Sequence, residues 1–369
     1  MLRLPPAQRR FVKKGNKCAI ADLLSEHQMF EWAGVSLGED EVFRLYKSVK
    51  RLGQLSGAHS LRFWGKLFGS FSDYYVVEGE AKEADESEIP KDVEPRTTGV
   101  NRLVYWVTDS LLEDWIQLPD ATPAHVQAAR NVKHVLTGNL NAPLNTNPLF
   151  PGKERHFLRA QIARITHATT VVPKGVFKPS EEDEKEVVPD EEFPGAETGA
   201  LKSLESWVHV HANLLKAGRI SHLTPDVPED KLEEAQAAQT ANDPVIERLK
   251  GINEDVPVEG NEAAWTSKLV GNQQPYKGPK EGNVTYAVNV LRSLRWPGAI
   301  TVAQGGKWAS LYVGYGVKEG DVAYNPTAPP EVQEDPEDQK EQPEPTPLQE
   351  PEEPLEPDTE AVEGKEEEA

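Results

Sequence analysis

The fold is decided by Ser60–Gly79, which reads SLRFWGKLFGSFSDYYVVEG. Residues alternate in its first half as they do in a β-strand, and 74–77 is rich in the aromatic and β-branched residues that strands favour. The turn-rich break at 69–73 joins the two runs into a predicted β-hairpin. The alternation places Leu61, Phe63, Gly65 and Leu67 on one face of the first strand, and Arg62, Trp64, Lys66 and Phe68 on the other. Because both faces carry large apolar groups, we expect a layer on each side, formed by this domain or by a partner protein.

Composition limits the class of protein. The chain has 369 residues, which is long enough for a sizeable core, and its single cysteine, Cys18, excludes an intrachain disulfide and favours a reducing compartment. It has no apolar run of about 18 residues, and its basic N-terminus lacks the apolar stretch of a secretory signal. The net charge is −21, of which −15 lies from Glu331 onward. We therefore expect neither a membrane nor nucleic acid as a partner.

The helical and strand patterns predict an α+β fold with largely antiparallel strands and hairpins and flanking helices. Helices are predicted at Ala21–Trp32, at Glu39–Gly53, and from the capping pair Thr122-Pro123 to Gly138. Further strands are predicted at Leu103–Val107, Trp207–Leu215, Thr285–Leu294, Ala299–Ala303 and Trp308–Val313. Two interpretations are open for Phe157–Val172: its β-branched end favours a strand, whereas its Ala, Gln and Arg residues suit a helix, and we favour the strand.

We expect one domain over residues 20–320, after a basic lead-in at 1–19. Two acidic segments, near 80–99 and 178–192, interrupt this domain and are predicted to be solvated loops. Residues 326–369 hold 10 of the 30 prolines, many acidic residues and no aromatic residue. Such a segment cannot bury enough apolar area to offset its ordering entropy, so we predict a disordered acidic tail.

One motif suggests catalysis. Gly34–Gly38 reads GVSLG and matches G-x-S-x-G, the nucleophile elbow of serine hydrolases, with Ser36 as the nucleophile. That chemistry needs the serine on a turn between a strand and a helix, above a sheet that is already formed. Only 33 residues precede the motif, and their pattern is helical. We therefore favour a helix–helix connection, and a serine hydrolase stays as an alternative.

A metal site is a second possibility. His209 and His211 would share one face of a predicted strand, and His222 would be a third ligand. No HExxH or CxxC motif accompanies them, so we favour polar rings on the solvated face of that strand. The glycines at 305–306 and 314–316 lack the other residues of nucleotide-binding motifs. We predict no catalytic residue, no metal and no cofactor.

The eight tryptophans are a stronger signal. Each one alone is better explained as a core residue, worth about 2–3 kcal/mol of burial. As a set, on strands that are apolar on both faces, some are expected to contact another protein, because Trp and Tyr are frequent anchors of interfaces. The candidate interface residues are Trp64, Tyr74, Tyr75, Trp106, Trp207, Trp296, Trp308 and Tyr315.

Several ordered blocks resemble one family. In chain order they are FEWAGVSLGEDE (30–41), LRFWGK and DYYVVEG (61–79), GVNRLVYWVTDS (99–110), AARNVKHVLTGNLNAP (128–143), PLFPGKERHFLRAQIARI (148–165), SWVHVHANLLKAGR (206–219) and WPGAITVAQGGKWASLYVGYG (296–316). Together they resemble the radial spoke head protein 4/6 family of cilia and flagella. Tyr315 stands where this family usually has tryptophan, and the family usually carries more sequence before the first block.

The resemblance implies a non-enzymatic subunit of the radial spoke head in the motile axoneme, part of the cytoskeleton of the cilium or flagellum. It implies pairing with itself or with a close paralogue, and packing with other radial spoke head subunits. It also implies a transient contact with central-pair projections, which the head relays to the dynein arms. A generic soluble scaffold protein is a further alternative, which would require the ordered blocks to be coincidence.

The acidic segments add a mechanistic expectation. If the tail and the acidic loops lie on the outer face of the head, contact with an acidic central-pair projection is repulsive and transient, and acts within about 8 Å at physiological salt. The alternative is that the tail only aids solubility.

Overall fold

The computed structural model describes residues 18–80, 90, 92–179, 187–212, 214–222, 228, 231, 234, 248–272, 276–277, 283–284 and 286–320. The chain divides into two units, Met1–Asn325 and Pro326–Ala369, and every described residue belongs to the first. All of the predicted acidic tail therefore lies outside the described residues, as do most of the basic lead-in and much of the two acidic segments.

The described residues form helices and strands in an α+β arrangement. The α-helices are α1 (Leu23–Trp32), α2 (Glu39–Leu55), α3 (Pro123–Arg130) and α4 (Glu154–Thr169). The strands are β1 (Ala19–Ile20), β2 (Ser60–Leu67), β3 (Tyr74–Glu80), β4 (Val104–Thr108), β5 (Ile116–Gln117), β6 (Val171–Pro173), β7 (Phe177–Pro179), β8 (Val187–Pro189), β9 (Trp207–His209), β10 (Trp265–Val270), β11 (Tyr276–Lys277), β12 (Asn283–Val284), β13 (Val288–Ser293), β14 (Ala299–Gln304) and β15 (Lys307–Gly314). Short 3-10 turns lie at Gly99–Asn101, Ala200–Lys202, Leu204–Ser206 and Ile252–Glu254.

One large sheet organises the domain, in the order β10-β13-β14-β15-β2-β3-β4-β5. Neighbouring strands of this sheet are antiparallel, except along one edge of β2. There β1 pairs in parallel with Ser60–Leu61, and β15 pairs in parallel with Gly65–Leu67. Arg62 lies between these two partners and donates to the Ser310 carbonyl at 3.0 Å and to Glu78 Oε1 at 2.7 Å. The predicted α+β class with largely antiparallel strands and hairpins is confirmed.

Both faces of the sheet are covered by the chain itself. On one face, α2 packs Val42 and Leu45 against Phe63 of β2, and α1 packs against β13 and β14. On the other face, α3 and α4 cover β2 and β3, and the short strands β6 to β9 cover β10, β13 and β15. The expected two layers are therefore present, and both belong to this domain.

A β-bulge changes the predicted face assignment within β2. Phe63 pairs with Val77 and Gly65 pairs with the next residue of β3, Val76, so Trp64 is an extra residue. Such an insertion reverses the alternation beyond it. Leu61 and Phe63 accordingly lie on the α2 side, whereas Trp64 and Leu67 lie together on the α4 side. The prediction that Leu61, Phe63, Gly65 and Leu67 share one face was therefore wrong.

The favoured strand at Phe157–Val172 was also wrong, because most of this segment is helix α4. Thirteen of its 16 residues are buried, including Arg159, Gln161 and Arg164. A helix that is buried on all sides shows no amphipathic stripe, and the polar residues within it conceal its apolar character. Only the β-branched end forms a strand, β6, which begins at Val171.

Smaller differences concern element ends. Thr122 caps α3 as predicted, accepting from the His125 backbone N–H at 3.3 Å, but the helix ends at Arg130 instead of continuing to Gly138. The end of the predicted apolar stripe, Leu136, is buried in a bridge with Gly69. The strand predicted from Trp207 to Leu215 is short and ends at His209. In the part of the chain that the structure describes, no helix combines the length and apolarity that a membrane crossing requires.

Candidate interaction surface

Tyr74 is fixed inside the domain by the fully buried Glu154 at the start of α4. Glu154 Oε1 accepts from the Tyr74 hydroxyl at 2.8 Å and from the Gly138 N–H at 2.9 Å. Its Oε2 accepts from the Thr137 N–H and hydroxyl at 2.9 and 2.8 Å. Burial and the neighbouring carboxylate raise the pKa of the Tyr74 hydroxyl. Tyr74 therefore serves to join β3, α4 and the 137–138 loop.

Trp64 and Trp296 also hold α4 on the sheet. Trp64 donates its indole N–H to Thr166 Oγ1 at 2.9 Å and stacks on Tyr312 with ring centroids 5.3 Å apart. The guanidinium of Arg164 lies 5.2 Å from the Trp296 ring centroid, a distance that suits a cation–π contact. Both indoles are buried among the residues of α3 and α4.

Trp106, Trp207 and Trp308 occupy the other core clusters. Trp106 belongs to the core cluster beneath α2, while Trp207 of β9 and Trp308 of β15 belong to the cluster between the short strands and the large sheet. Trp207 donates to the Leu201 carbonyl at 2.8 Å. Six of the eight candidate interface residues are thus buried in this chain's own core, where they stabilise the fold and offer no surface to a partner. The six are Trp64, Tyr74, Trp106, Trp207, Trp296 and Trp308.

The two remaining candidates differ in exposure. Tyr75 is half-buried, donates to Glu41 Oε1 at 2.8 Å, and lies under Lys66 with its ring centroid 4.9 Å from Nζ. Burial and the hydrogen bond to Glu41 raise the pKa of the Tyr75 hydroxyl. The same hydrogen bond joins Tyr75 to α2. Tyr315 is 57% exposed and packs edge-on against Phe68 at 5.2 Å. Tyr315 is therefore the candidate that remains available to another protein.

Tyr315 belongs to an apolar surface at the end of the sheet, which we name the terminal patch and define as Phe68, Phe71, Val135 and Tyr315. It lies where β2 and β15 end, and the Phe68 N–H donates to the Gly314 carbonyl at 2.9 Å. The Phe71 N–H donates to the Thr137 carbonyl at 3.0 Å, which places the backbone of the 91% exposed Phe71 beside the segment that carries Val135, itself 42% exposed. Exposed apolar patches of this kind often mark protein contacts.

The sequence patterns did not mark Phe68, Phe71 or Val135 as surface residues. A signal for Phe71 was present, because an aromatic residue inside the polar turn Gly-Ser-Phe-Ser-Asp has no local reason to be buried. No comparable signal marked Val135, which lies in a segment predicted as helix.

Ser36 lies in the helix–helix connection that was favoured for it, between α1 and α2. Its Oγ accepts from the Gly38 N–H at 2.9 Å and lies 3.3 Å from His27 Nε2. The serine is exposed and follows a helix, whereas a nucleophile elbow needs a preceding strand and a nearby oxyanion hole. The hydroxyl therefore serves as a local turn acceptor in this geometry.

The three histidines do not converge. His209 is fully buried and contacts Asp255, with Nε2 2.9 Å from Oδ2, and Trp265 donates to the same carboxylate oxygen at 2.6 Å. His211 lies outside the strand and packs against His167, and His222 is exposed. The favoured position on a solvated strand face was therefore wrong for both residues, because His209 is buried and His211 is not in a strand. Among the described residues, no three His, Cys, Asp or Glu side chains are grouped as a metal ion would require.

Comparisons with known proteins place these features in context. The family model described as "Radial spokehead-like protein" matches residues 5–93 and 81–353. The chain is 34% identical over 345 residues to flagellar radial spoke protein 4 of Chlamydomonas reinhardtii, covering 87% of this chain and 71% of that protein. It is 34% identical over 370 residues to radial spoke head protein 6 homolog A of Xenopus tropicalis, covering 84% of this chain and 68% of that protein.

A human relative is longer. The chain is 31% identical over 368 residues to radial spoke head protein 4 homolog A of Homo sapiens, and the match covers 86% of this chain and 50% of that protein. The chain thus spans about half the length of the human relative.

Proposed function

The chain belongs to the radial spokehead-like family, as the ordered sequence blocks predicted, and from this premise we propose that it is a structural subunit of the radial spoke head in motile cilia and flagella. Family membership supports a structural role in the radial spoke. The extent of the family match supports the assignment to the spoke head, because the match covers most of the chain, including the whole of the large sheet.

The architecture suits a domain that keeps its shape under force. The sheet is covered on both faces by its own helices, and buried hydrogen bonds such as Tyr74–Glu154 and Trp64–Thr166 join the layers. Satisfied buried polar networks fix one arrangement of the packed elements. We infer that the domain is a rigid element of the head, needed for its assembly and for relaying central-pair contact to the dynein arms.

The terminal patch supports the proposed pairing with a second copy or with a close paralogue. Phe71 and Tyr315 expose aromatic rings, and aromatic residues anchor many interfaces. The patch is adjacent to the ends of β2 and β15, so a partner seated there would contact ordered backbone. Packing with other radial spoke head subunits belongs to the same proposal.

The acidic tail supports the proposal of a transient, repulsive contact with acidic central-pair projections. Its sequence carries −15 from Glu331 onward, and the rest of the chain carries only −6. Deletion of 331–369 is expected to alter the beat waveform while the head stays assembled. An unchanged waveform in that deletion would contradict the repulsive contact and leave solubility as the role of the tail.

Salt extraction of isolated axonemes tests the main proposal. We expect the protein to resist mild washing, to be released at high salt, and to co-sediment with other spoke components that mass spectrometry identifies. Recovery of the protein in the soluble fraction, free of spoke proteins, would overturn the structural role.

A further inference from the structure

The outward side of α2 is unusual in this acidic chain. Val42, Leu45, Val49 and Leu52 point into the core, so the opposite side of the helix faces solvent. We name that side the α2 stripe and define it as Phe43, Arg44, Tyr46, Lys47, Lys50 and Arg51. At 100° per residue these six positions form one continuous band along the helix.

Basic charge dominates the α2 stripe. The three acidic residues of the helix, Glu39, Asp40 and Glu41, all lie in its first turn, where negative charge interacts favourably with the helix dipole. Glu41 is engaged by Lys66 at 3.1 Å and by Tyr75. Glu39 and Asp40 are exposed and, at 100° per residue, lie on the same side of the helix at its N-terminal end. The positive surface is therefore confined to the four cations that follow the first turn, on a chain whose net charge is −21.

The lysines of the α2 stripe are held against aromatic rings. Lys47 Nζ lies 4.5 Å from the Phe43 ring centroid, and Lys50 Nζ lies 5.0 Å from that of Tyr46 while donating to its hydroxyl at 3.1 Å. Within the described residues, Arg51 with Asp114 is the one ion pair made by the four cations. The rings therefore hold the ammonium groups of Lys47 and Lys50 in place. Neither group forms an ion pair within the described residues, so both can bind a carboxylate of a partner.

An apolar surface continues from the α2 stripe. Arg51 contacts Asp114, and the neighbouring Trp115 donates to Ser48 Oγ of α2 at 2.9 Å, which fixes the 111–117 segment beside the helix. Leu112 and Ile116 of that segment are 81% and 55% exposed, and between them lie the exposed carboxylates of Glu113 and of Asp114, which pairs with Arg51. Ile116 belongs to β5, which pairs with β4 and with no second strand among the described residues.

We propose that the α2 stripe, with Leu112 and Ile116, binds an acidic segment of a partner protein. Carboxylates of the segment pair with Lys47, Lys50 and Arg44, and its apolar residues pack on Phe43, Leu112 and Ile116. Charge complementarity selects this occupant, because cations on an exposed helix face adjoin an apolar surface. A long nucleic acid or an anionic membrane would extend beyond the cations of the α2 stripe and meet the exposed carboxylates of Glu39, Asp40 and Glu113.

The proposal goes beyond the spoke head assignment and does not depend on it. Its test uses the isolated full-length chain and a short fluorescein-labelled peptide that alternates Glu and Leu, with binding followed by fluorescence anisotropy. A matched peptide with Gln in place of Glu measures the contribution of charge. We expect binding of the Glu peptide that weakens as salt rises, and little binding of the Gln peptide.

Two variants with the same change of charge separate the α2 stripe from general electrostatics. K47E/K50E is expected to weaken binding of the Glu peptide at least about tenfold. K174E/K202E changes two exposed lysines elsewhere and is expected to leave affinity within about twofold. K47Q/K50Q replaces the first variant if circular dichroism shows that K47E/K50E is unfolded.

Several results would overturn the proposal. These are the absence of Glu-peptide binding by the wild-type chain, equal binding of the Gln peptide, and equal affinities for K47E/K50E and K174E/K202E. Tighter binding to a single-stranded RNA oligonucleotide or to vesicles of anionic lipid than to the Glu peptide would also overturn it, in favour of a nucleic acid or a membrane.

Discussion

Gly65 of β2 lies so close to Tyr312 of β15 that a Cβ atom at position 65 would overlap the Tyr312 carbonyl oxygen. The contact occurs at the β-bulge of β2, where the strand begins its parallel pairing with β15. Glycine is thus required by a close approach of two backbones. The residue joins the N-terminal hairpin to the C-terminal strands within one sheet.

Gly65→Ala is expected to lower the free energy of unfolding by about 2 kcal/mol or more, because the added methyl group must separate β2 from β15. Urea denaturation followed by tryptophan fluorescence measures this change. Gly306→Ala is the control, since the nearest atom to its Cβ would be 3.8 Å away and no clash arises. Equal stabilities of the two variants would contradict the role given to Gly65.

The buried carboxylate of Glu154 supports a second prediction. Glu154→Ala leaves the Tyr74 hydroxyl and the donors of Thr137 and Gly138 without their acceptor, at a cost of about 3 kcal/mol or more. Tyr74→Phe removes one donor from the same network and is expected to cost only about 1 kcal/mol. Denaturation midpoints of the two variants measure the difference, and a Glu154→Ala protein within about 1 kcal/mol of the wild type would refute it.

The elements that sequence analysis predicted well are those with local signals. The acidic first turn and apolar spacing of α2, the cap of α3 at Thr122, and the turns between β13, β14 and β15 are all encoded within a few neighbouring residues. The failures are those that depend on distant contacts. The alternation of β2 continues in the sequence through Trp64, and only the approach of Tyr312, far along the chain, explains the bulge at this point.

The same limit applies to the candidate surface. Strands that are apolar on both faces predict a covering layer, but the pattern does not say whether that layer belongs to the same chain. Trp207 is buried by segments that are distant from it in the sequence. His209 contacts Asp255, which lies 46 positions later in the chain. Tyr315 and the terminal patch could be recognised only once the core was known.

The buried His167 and its half-buried neighbour His211 predict a dependence of stability on pH. Burial lowers the pKa of His167 to about 4, and Arg159 and Arg102 act in the same direction, against the opposing effects of the Ala212 carbonyl and Glu94. The pKa of His211 is lowered by burial and by His167, whose ring centroid is 5.1 Å away. Folding therefore favours the neutral form of both imidazoles.

Because the pKa of His167 is lower in the folded than in the unfolded state, the unfolded chain binds the proton first as the pH falls. The contribution of His167 is therefore fully present above pH 6.5 and is lost between pH 6.5 and about 4. Between about pH 7.5 and pH 5 the loss is about 2 kcal/mol. His167→Gln keeps a hydrogen-bond donor for the Ala212 carbonyl but has no imidazole to protonate. The stability lost between about pH 7.5 and pH 5 should therefore be smaller by about 2 kcal/mol in this variant, as measured by urea denaturation at the two pH values. His222→Gln, at an exposed site, should leave the loss unchanged, and identical pH profiles for both variants would contradict the assignment.

The terminal patch leads to a prediction about association. F71S/Y315S removes two exposed aromatic rings at the end of the sheet. We expect it to raise the dissociation constant of the proposed pair with a second copy or a paralogue by about tenfold or more, because aromatic anchors contribute most of the energy of such contacts. Analytical ultracentrifugation measures this constant. The free energy of unfolding should change by no more than about 0.5 kcal/mol, since neither ring is part of the core. Leu149→Ser is the control, because Leu149 is an exposed apolar residue outside the terminal patch. If both variants associate as tightly as the wild type, the pair forms through another surface.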